Sequence, residues 1–256
     1  MHCMKRIGLF YLLMIFAVIA HGQLQRDSIQ HMRKGESNIL GGLNIGAAAP
    51  TSFPNTIRKI NGYWPRVSPS LGFEYIYYLP EKWGIGAAFK LDFKGMGTRS
   101  EVIYFHTIIA VKDGDQTNEF TGTFSGKNET RVSNAYISVP IYAVYRFNNQ
   151  WRAKLGFYMA WLFSSDFEGN VSDGYIRNGG PTGEKVNIDF ATFDFGEDVN
   201  SFDIGLYGAG EYRISHKLSL SAQLSWGLRP IFPSTFKGMD FPLYNIFATL
   251  GVTYHL

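Results

Sequence analysis

Cysteine is nearly absent: Cys3 is the single thiol in 256 residues. That excludes a disulfide scaffold and a cysteine-based zinc site. Charge is scarce too, with Asp, Glu, Lys and Arg at 18%. A charge-rich helical bundle or a disordered tail needs far more. Beyond the N-terminus no stretch reaches 18 apolar residues, so no transmembrane helix is expected. What the chain does have is 16% aromatics and 28 glycines. Few charges with many aromatics and glycines suit an all-β protein that touches something other than water.

The N-terminus reads as an address. Lys5 and Arg6 precede an uncharged apolar run at residues 7–20, and Ala20 and Gly22 are small residues at a cleavage site. Residues 1–22 are therefore read as a secretory signal peptide, leaving Gln23 first. Cys3 lies ahead of the apolar run, which argues against a lipoprotein signal. Losing Lys5 and Arg6 takes the 24 basic residues to 22, against 21 acidic. A near-neutral chain gives no footing for a nucleic-acid partner. Residues 23–37 are polar and read as a periplasmic leader, and 38–256 as the main domain.

From Asn38 onward the pattern has period two. Tyr244, Ile246, Ala248, Leu250, Val252, Tyr254 and Leu256 form one face of the last segment, with Asn245, Thr249, Thr253 and His255 on the other. Seven more segments alternate alike, starting near Ile39, Leu71, Trp83, Ile137, Trp151, Phe202 and Leu218. Alternation of this length marks strands with one face in an apolar medium. The links alternate as well. Residues 80–82, 148–150 and 215–217 are short; 49–67, 97–132, 166–200 and 230–241 are long. This is the rhythm of an eight-stranded antiparallel up-and-down transmembrane β-barrel, with short turns toward the periplasm. Residues 101–111 (EVIYFHTIIAV) are unusually apolar for a loop. They extend the wall outward or, if 101–125 cross the membrane, raise the count to ten.

The polar faces carry charge in mid-strand. The expected inward set is Glu74, Lys90, Asp92, Lys94, Arg146, Arg152, Lys154, Asp203, Glu211, Arg213 and Arg229, joined by Tyr78, Tyr142, Tyr158 and Tyr207. Eight strands leave a lumen that side chains fill. Seven bases facing four acids make a salt-bridged plug, or a narrow passive pore with mild anion preference.

The strings AYISVPIYAVYRF (135–147), LGFYMAWLF (155–163), FDIGLYGAGEYRI (202–214), LSLSAQLSWGL (218–228) and IFATLGVTYHL (246–256) resemble the PorT-like "porin family" outer-membrane β-barrel proteins of Bacteroidetes. Pro140 sits mid-strand in the fourth strand, as in that family. The chain departs at its end: an aromatic is usual there, and Leu256 stands instead, with Tyr254 two positions earlier. The resemblance implies a bacterial outer-membrane location, insertion by the barrel-assembly machinery, and contact with outer-membrane lipid and lipopolysaccharide. The leading expectation is a structural or interaction barrel whose loops meet an extracellular or periplasmic protein partner; the resemblance implies the alternative, an accessory of a type IX-like secretion pathway using the leader.

No enzyme, metal or cofactor is expected. His106 follows Ser100 and Glu101, but no G-x-S-x-G frame supports a hydrolase. Asp113, Asp115, Asn118 and Glu119 resemble a calcium loop without its twelve-residue frame. Residues 167–200 hold seven acids against Arg177 and Lys185, and read as a solvated loop.

Overall fold

A computed structural model describes residues 35–79, 82–113, 116–178 and 182–256, with the side chains of 111–119 and 178 set aside. The segment read as a signal peptide, 1–22, and most of the segment read as a leader, 23–37, lie outside these residues. Eleven strands follow in order: β1 Gly35–Ala49, β2 Ile57–Pro65, β3 Pro69–Tyr78, β4 Trp83–Asp113, β5 Gln116–Arg146, β6 Trp151–Ser164, β7 Phe167–Asn178, β8 Lys185–Asp194, β9 Phe202–Arg213, β10 Leu218–Gly227 and β11 Tyr244–His255.

Eight of them close a ring. β1 pairs with β3, β3 with β4, β4 with β5 and β5 with β6. β6 pairs with β9, β9 with β10, β10 with β11, and β11 returns to β1 through a register running from Asn38↔His255 to Ala49↔Tyr244. Every pairing is antiparallel. Closure leaves no backbone edge in the ring, which a lipid-facing sheet requires. Three tight turns join strands at one end. Leu79 N–H reaches Trp83 O at 3.0 Å, Phe147 N–H reaches Trp151 O at 3.0 Å, and Ile214 N–H reaches Leu218 O at 2.9 Å.

Burial fixes which way each face points. Leu71, Phe73, Ile85, Phe89, Leu155, Phe157, Leu220 and Leu250 are exposed, while Glu74, Lys90, Lys154, Gln223 and Thr249 are buried. The barrel is apolar outside and polar inside. Two aromatic belts bound the apolar band. The lower holds Trp83 against Tyr145 (4.8 Å) and Trp151 against Tyr212 (4.8 Å). The upper holds Phe93 near Phe163 (6.4 Å) and Trp161 near Phe202 (5.5 Å). Trp151 and Trp161 lie ten residues apart on β6. With the usual rise and tilt that is ~25 Å, the height of an outer membrane's apolar layer.

Pro140 interrupts one ladder only. The β4–β5 pairs skip from Ala87↔Ile141 to Lys90↔Ser138 without a change of register, while β6 pairs through Pro140↔Tyr158. The missing N–H therefore faces β4.

The segments read as the second and third long loops are strands. β4 and β5 continue past the upper belt as a 31-residue pair. β2 flanks β4 there, β7 flanks β5, β8 flanks β7, and β8 curls back until Thr192 meets Ala110. The ring keeps eight strands and residues 101–125 extend its wall. Inside this extension the polarity inverts. Val102, Phe105, Ile109, Phe124, Val171, Ile176, Ile188 and Phe193 form an apolar core with Phe167, Phe195 and Phe232.

Bulges hid these strands from a period-two reading. Val102↔Gly126 is followed by Phe105↔Phe124, so β4 carries an extra residue and its inward parity flips. β7 repeats the device between Ser172 and Tyr175, again opposite Gly126. Tyr104 (φ 53°) and Asp173 (φ 50°) occupy the two bulges. β-Bulges bend a strand and re-aim its side chains. A Cβ on Gly126 would lie 2.8 Å from Gly174 Cα and 2.9 Å from Ser172 O, so the bulges close onto a glycine.

Left-handed backbone is unfavourable for tyrosine by about 1–2 kcal/mol and free for glycine. Tyr104→Gly should therefore raise the unfolding free energy by about 1 kcal/mol, and Tyr104→Val should lower it, in urea titrations of the refolded barrel.

Candidate functional site

The lumen is built by alternate residues of all eight ring strands. On β3, β6 and β9 the inward positions place Glu74, Lys154 and Glu211 at one level. Lys154 Nζ bridges the carboxylates of Glu74 and Glu211. Tyr142 OH donates to Glu74, and Asn38 Nδ2 donates to its other oxygen at 2.8 Å. Arg152 pairs with Glu211 and reaches Glu36 Oε1 at 2.7 Å and Tyr78 OH at 2.9 Å.

One layer higher, Lys90 lies 3.2 Å from Asp92 and donates to Gln223 Oε1 at 3.1 Å. Ser70 Oγ donates to Asp92 at 2.6 Å. Lys94 stands 3.7 Å from Asp203, with the rings of Tyr136 and Tyr158 about it at 4.9 and 5.0 Å. Tyr158 OH and Asn245 Nδ2 both donate to Asp203 Oδ2, at 2.8 and 2.9 Å. The void among Asn44, Lys94, Ser138 and Tyr207 measures about 10 Å³. That is room for about one water.

Lys90, Lys94, Arg152 and Lys154 are buried, and so are Glu74, Asp92, Asp203 and Glu211. Four fully buried bases thus meet four fully buried acids, where the sequence reading had seven against four, and Glu36 joins them from the short-turn rim. Three arginines account for the difference. Arg229 is exposed beyond the end of β10, where the alternation stops, and its guanidinium lies 6.0 Å from the Phe202 ring. Arg213, 37% exposed, sits at the short-turn rim 3.7 Å from Glu36. Arg146 is half-buried over the Tyr78 ring at 4.1 Å.

Glu36 was missed. It lies in the segment read as a leader, yet β1 starts at Gly35. Its carboxylate meets Arg152, Arg213 and His255. The signal was available: Glu36, Asn38 and Leu40 continue the parity of the strand. His255 Nδ1 lies 2.8 Å from Glu36 Oε1, and its Nε2 lies 2.7 Å from Ser219 Oγ. The order Ser–His–Glu is that of a hydrolase, but Ser219 is 1% exposed and cannot meet a substrate carbonyl. Instead the trio clips β10, β11 and β1 together beside the closing seam. His106, Ser100 and Glu101 are not brought together, because His106 lies ~20 Å up the same strand from Ser100. The calcium-like run at 113–119 falls among side chains outside the description. Among the described residues, no group of three or more His, Asp or Glu side chains could hold a metal ion.

On the outer surface of the extension, Glu129 accepts from Arg99 Nε at 2.8 Å and from Arg131 at 2.7 Å. These guanidinium hydrogen bonds hold its carboxyl below the usual range. Lys127 pairs with Asp173 at 2.8 Å, which raises the ammonium's pKa.

A closed ring, an apolar belt with two aromatic girdles and a charged interior define a transmembrane β-barrel of the outer-membrane type. The chain belongs to the family described as outer membrane protein beta-barrel domain, which it matches over residues 23–233. A comparison with curated proteins gives no match. Among solved structures it is similar to Ail, the attachment invasion locus protein of Yersinia pestis, at 11% identity, covering 87% of this chain and 97% of that one with a TM-score of 0.35. It is also similar to the outer membrane protein OprG from Pseudomonas aeruginosa, at 11% identity, 90% and 99% coverage and a TM-score of 0.38.

Lys154→Met leaves two buried carboxylates facing one another and should destabilise the barrel by about 3–5 kcal/mol. Adding Glu74→Gln should recover about 0.5–3 kcal/mol of that loss as a coupling energy, read from urea unfolding. For Glu129, a depressed pKa means its contribution exists above the ordinary glutamate range and is lost below it. The thermal midpoint of Glu129→Gln should thus fall short of the wild type at neutral pH, and the two should converge on acidification.

Proposed function

We propose that this protein is a closed outer-membrane barrel of structural and interaction type, whose strand-built extension meets a partner outside the cell. The observation that carries this reading is the filled lumen. Buried ion pairs cross it, and the void among Asn44, Lys94, Ser138 and Tyr207 measures about 10 Å³. A conducting pore needs a continuous water column, and the buried ion pairs across the lumen favour the plug over the passive pore. The extension supports the other half of the proposal. It is paired strand with its own apolar core, and rigid elements hold a binding surface better than loops do.

In this reading the short turns, the start of β1 and the end of β11 face the periplasm. The apolar belt contacts outer-membrane lipid. Arg229 and the exposed Arg58, Lys59 and Arg66 lie toward the upper rim, where lipopolysaccharide phosphates would meet them. Insertion would use the barrel-assembly machinery. A second reading, an accessory of a type IX-like secretion pathway, rests on the resemblance to PorT-like proteins. It assigns the contact to the leader, of which 35–37 belong to β1. Deleting 23–34 and losing secretion, with the barrel still inserted, would favour it.

Cys3 is the only native thiol, so single-cysteine labelling is clean. On intact cells an impermeant maleimide should label Asp189→Cys on β8 and spare Lys217→Cys in a short turn. In planar bilayers the wild-type barrel should give no steady nanosiemens steps.

A further inference from the structure

Asn61 and Gly62 are neighbours on β2, the end strand of the sheet. Among the described residues β2 pairs only with β4, which leaves its other edge open. The ladder passes from Ile60↔Ser100 straight to Gly62↔Arg99. Asn61 is therefore the extra residue of a β-bulge and has no residue opposite it. Its side chain is exposed, and Nδ2 donates to Glu101 Oε1 at 2.9 Å.

An asparagine in a regular strand is protected from its own backbone. The extended conformation keeps the next main-chain nitrogen away from the side-chain amide carbon, and ladder bonds on both sides resist the rotation that would join them. Both protections are weakened at Asn61. The strand has one neighbour instead of two, and a bulge turns the chain out of the extended conformation toward the helical region. Gly62 removes a further obstacle, because no side chain shields its nitrogen. A Cβ placed there would meet nothing nearer than Trp64 at 3.9 Å and Arg99 at 4.0 Å, so the backbone has room to turn. Other asparagines precede branched residues: Asn44 precedes Ile45, Asn170 precedes Val171 and Asn187 precedes Ile188. Asn178 also precedes a glycine, Gly179, which lies outside the described residues.

We infer that Asn61 is a site of spontaneous deamidation. The main-chain nitrogen of Gly62 attacks Asn61 Cγ. The new N–Cγ bond forms, the Cγ–Nδ2 bond breaks, and Nδ2 leaves as ammonia with the proton that the Gly62 nitrogen loses. The product is a cyclic succinimide. Water then opens one of its two ring C–N bonds, giving aspartate or isoaspartate. Either product puts a carboxylate where an amide donated to Glu101. The hydrogen bond is lost and two carboxylates face each other across β2 and β4. Isoaspartate also routes the main chain through the former side chain and disturbs the register. The modification thus loosens β2 from the sheet, starting at its open edge.

The test holds the barrel in lipid nanodiscs at mildly alkaline pH and samples it over weeks by peptide mapping and mass spectrometry. Trypsin releases residues 60–66, in which Asn61 is the single amide side chain. That peptide should gain the mass of an amide-to-acid exchange and split into two chromatographic isomers, while the peptide holding Asn187 stays unchanged. Its rate in the folded barrel should lie within about tenfold of the same chain in guanidinium chloride, because the bulge needs little local opening. Gly62→Val should slow it about tenfold by crowding the attacking nitrogen. Asn61→Asp should speed hydrogen exchange of the β2 amides about fivefold, and adding Glu101→Gln should reverse much of that gain. No mass gain in 60–66 overturns the inference, and so does a folded-state rate about a hundredfold below that of the unfolded chain. Equal exchange in Asn61→Asp and the wild type overturns the loosening.

Discussion

Lys154 occupies the point on which the barrel's interior turns. Its ammonium joins Glu74 on β3 to Glu211 on β9, strands on opposite sides of the ring, and Arg152 extends the same set to Glu36 on β1. A lone buried charge costs several kcal/mol, so each of these groups depends on the others being in register. A slip of one residue in any ring strand would turn its charged face into lipid and its apolar face into the lumen. The network is thus as much a register lock as a plug. The Glu36–His255–Ser219 clip acts likewise at the seam, where the first strand must find the last.

The same chain solves two opposite solvent problems. Between the aromatic belts it presents Leu, Ile and Phe outward and encloses charge. Above the upper belt, β4 and β5 carry on without a break, yet Val102, Phe105 and Phe124 now point inward and Arg99, Lys127 and Arg131 outward. The change is made by composition and by the two bulges facing Gly126. An apolar core above a charged one closes the lumen twice, once with ion pairs and once with phenylalanine. It also stiffens the projecting strands.

The eight ring strands and the buried charges were legible because lipid and a narrow lumen impose a strict period of two for ten or more residues. Glu74, Lys90, Asp92, Lys94, Arg152, Lys154, Asp203 and Glu211 all lie in such runs. Legibility failed at the edges of that regime. Arg229 follows the pattern in letter, but β10 has ended. Glu36 follows it too, but sits in a polar segment with no apolar partner face long enough to register. β7 and β8 were read as an acidic loop, since a bulge breaks the alternation of β7 and the two strands contain more glycine and aspartate than valine.

The sequence by itself determined the period, the strand count of the ring and which face of each strand carries charge, because side-chain parity along an extended chain is a local property. Only the tertiary structure decided which charges pair across the lumen, that Glu36 joins them, and that the apparent loops are strands with an apolar core of their own. Those outcomes depend on which distant strands pair and where a bulge shifts parity. Hydrogen-bond closure across up to about 220 residues fixes them, and no local window contains it.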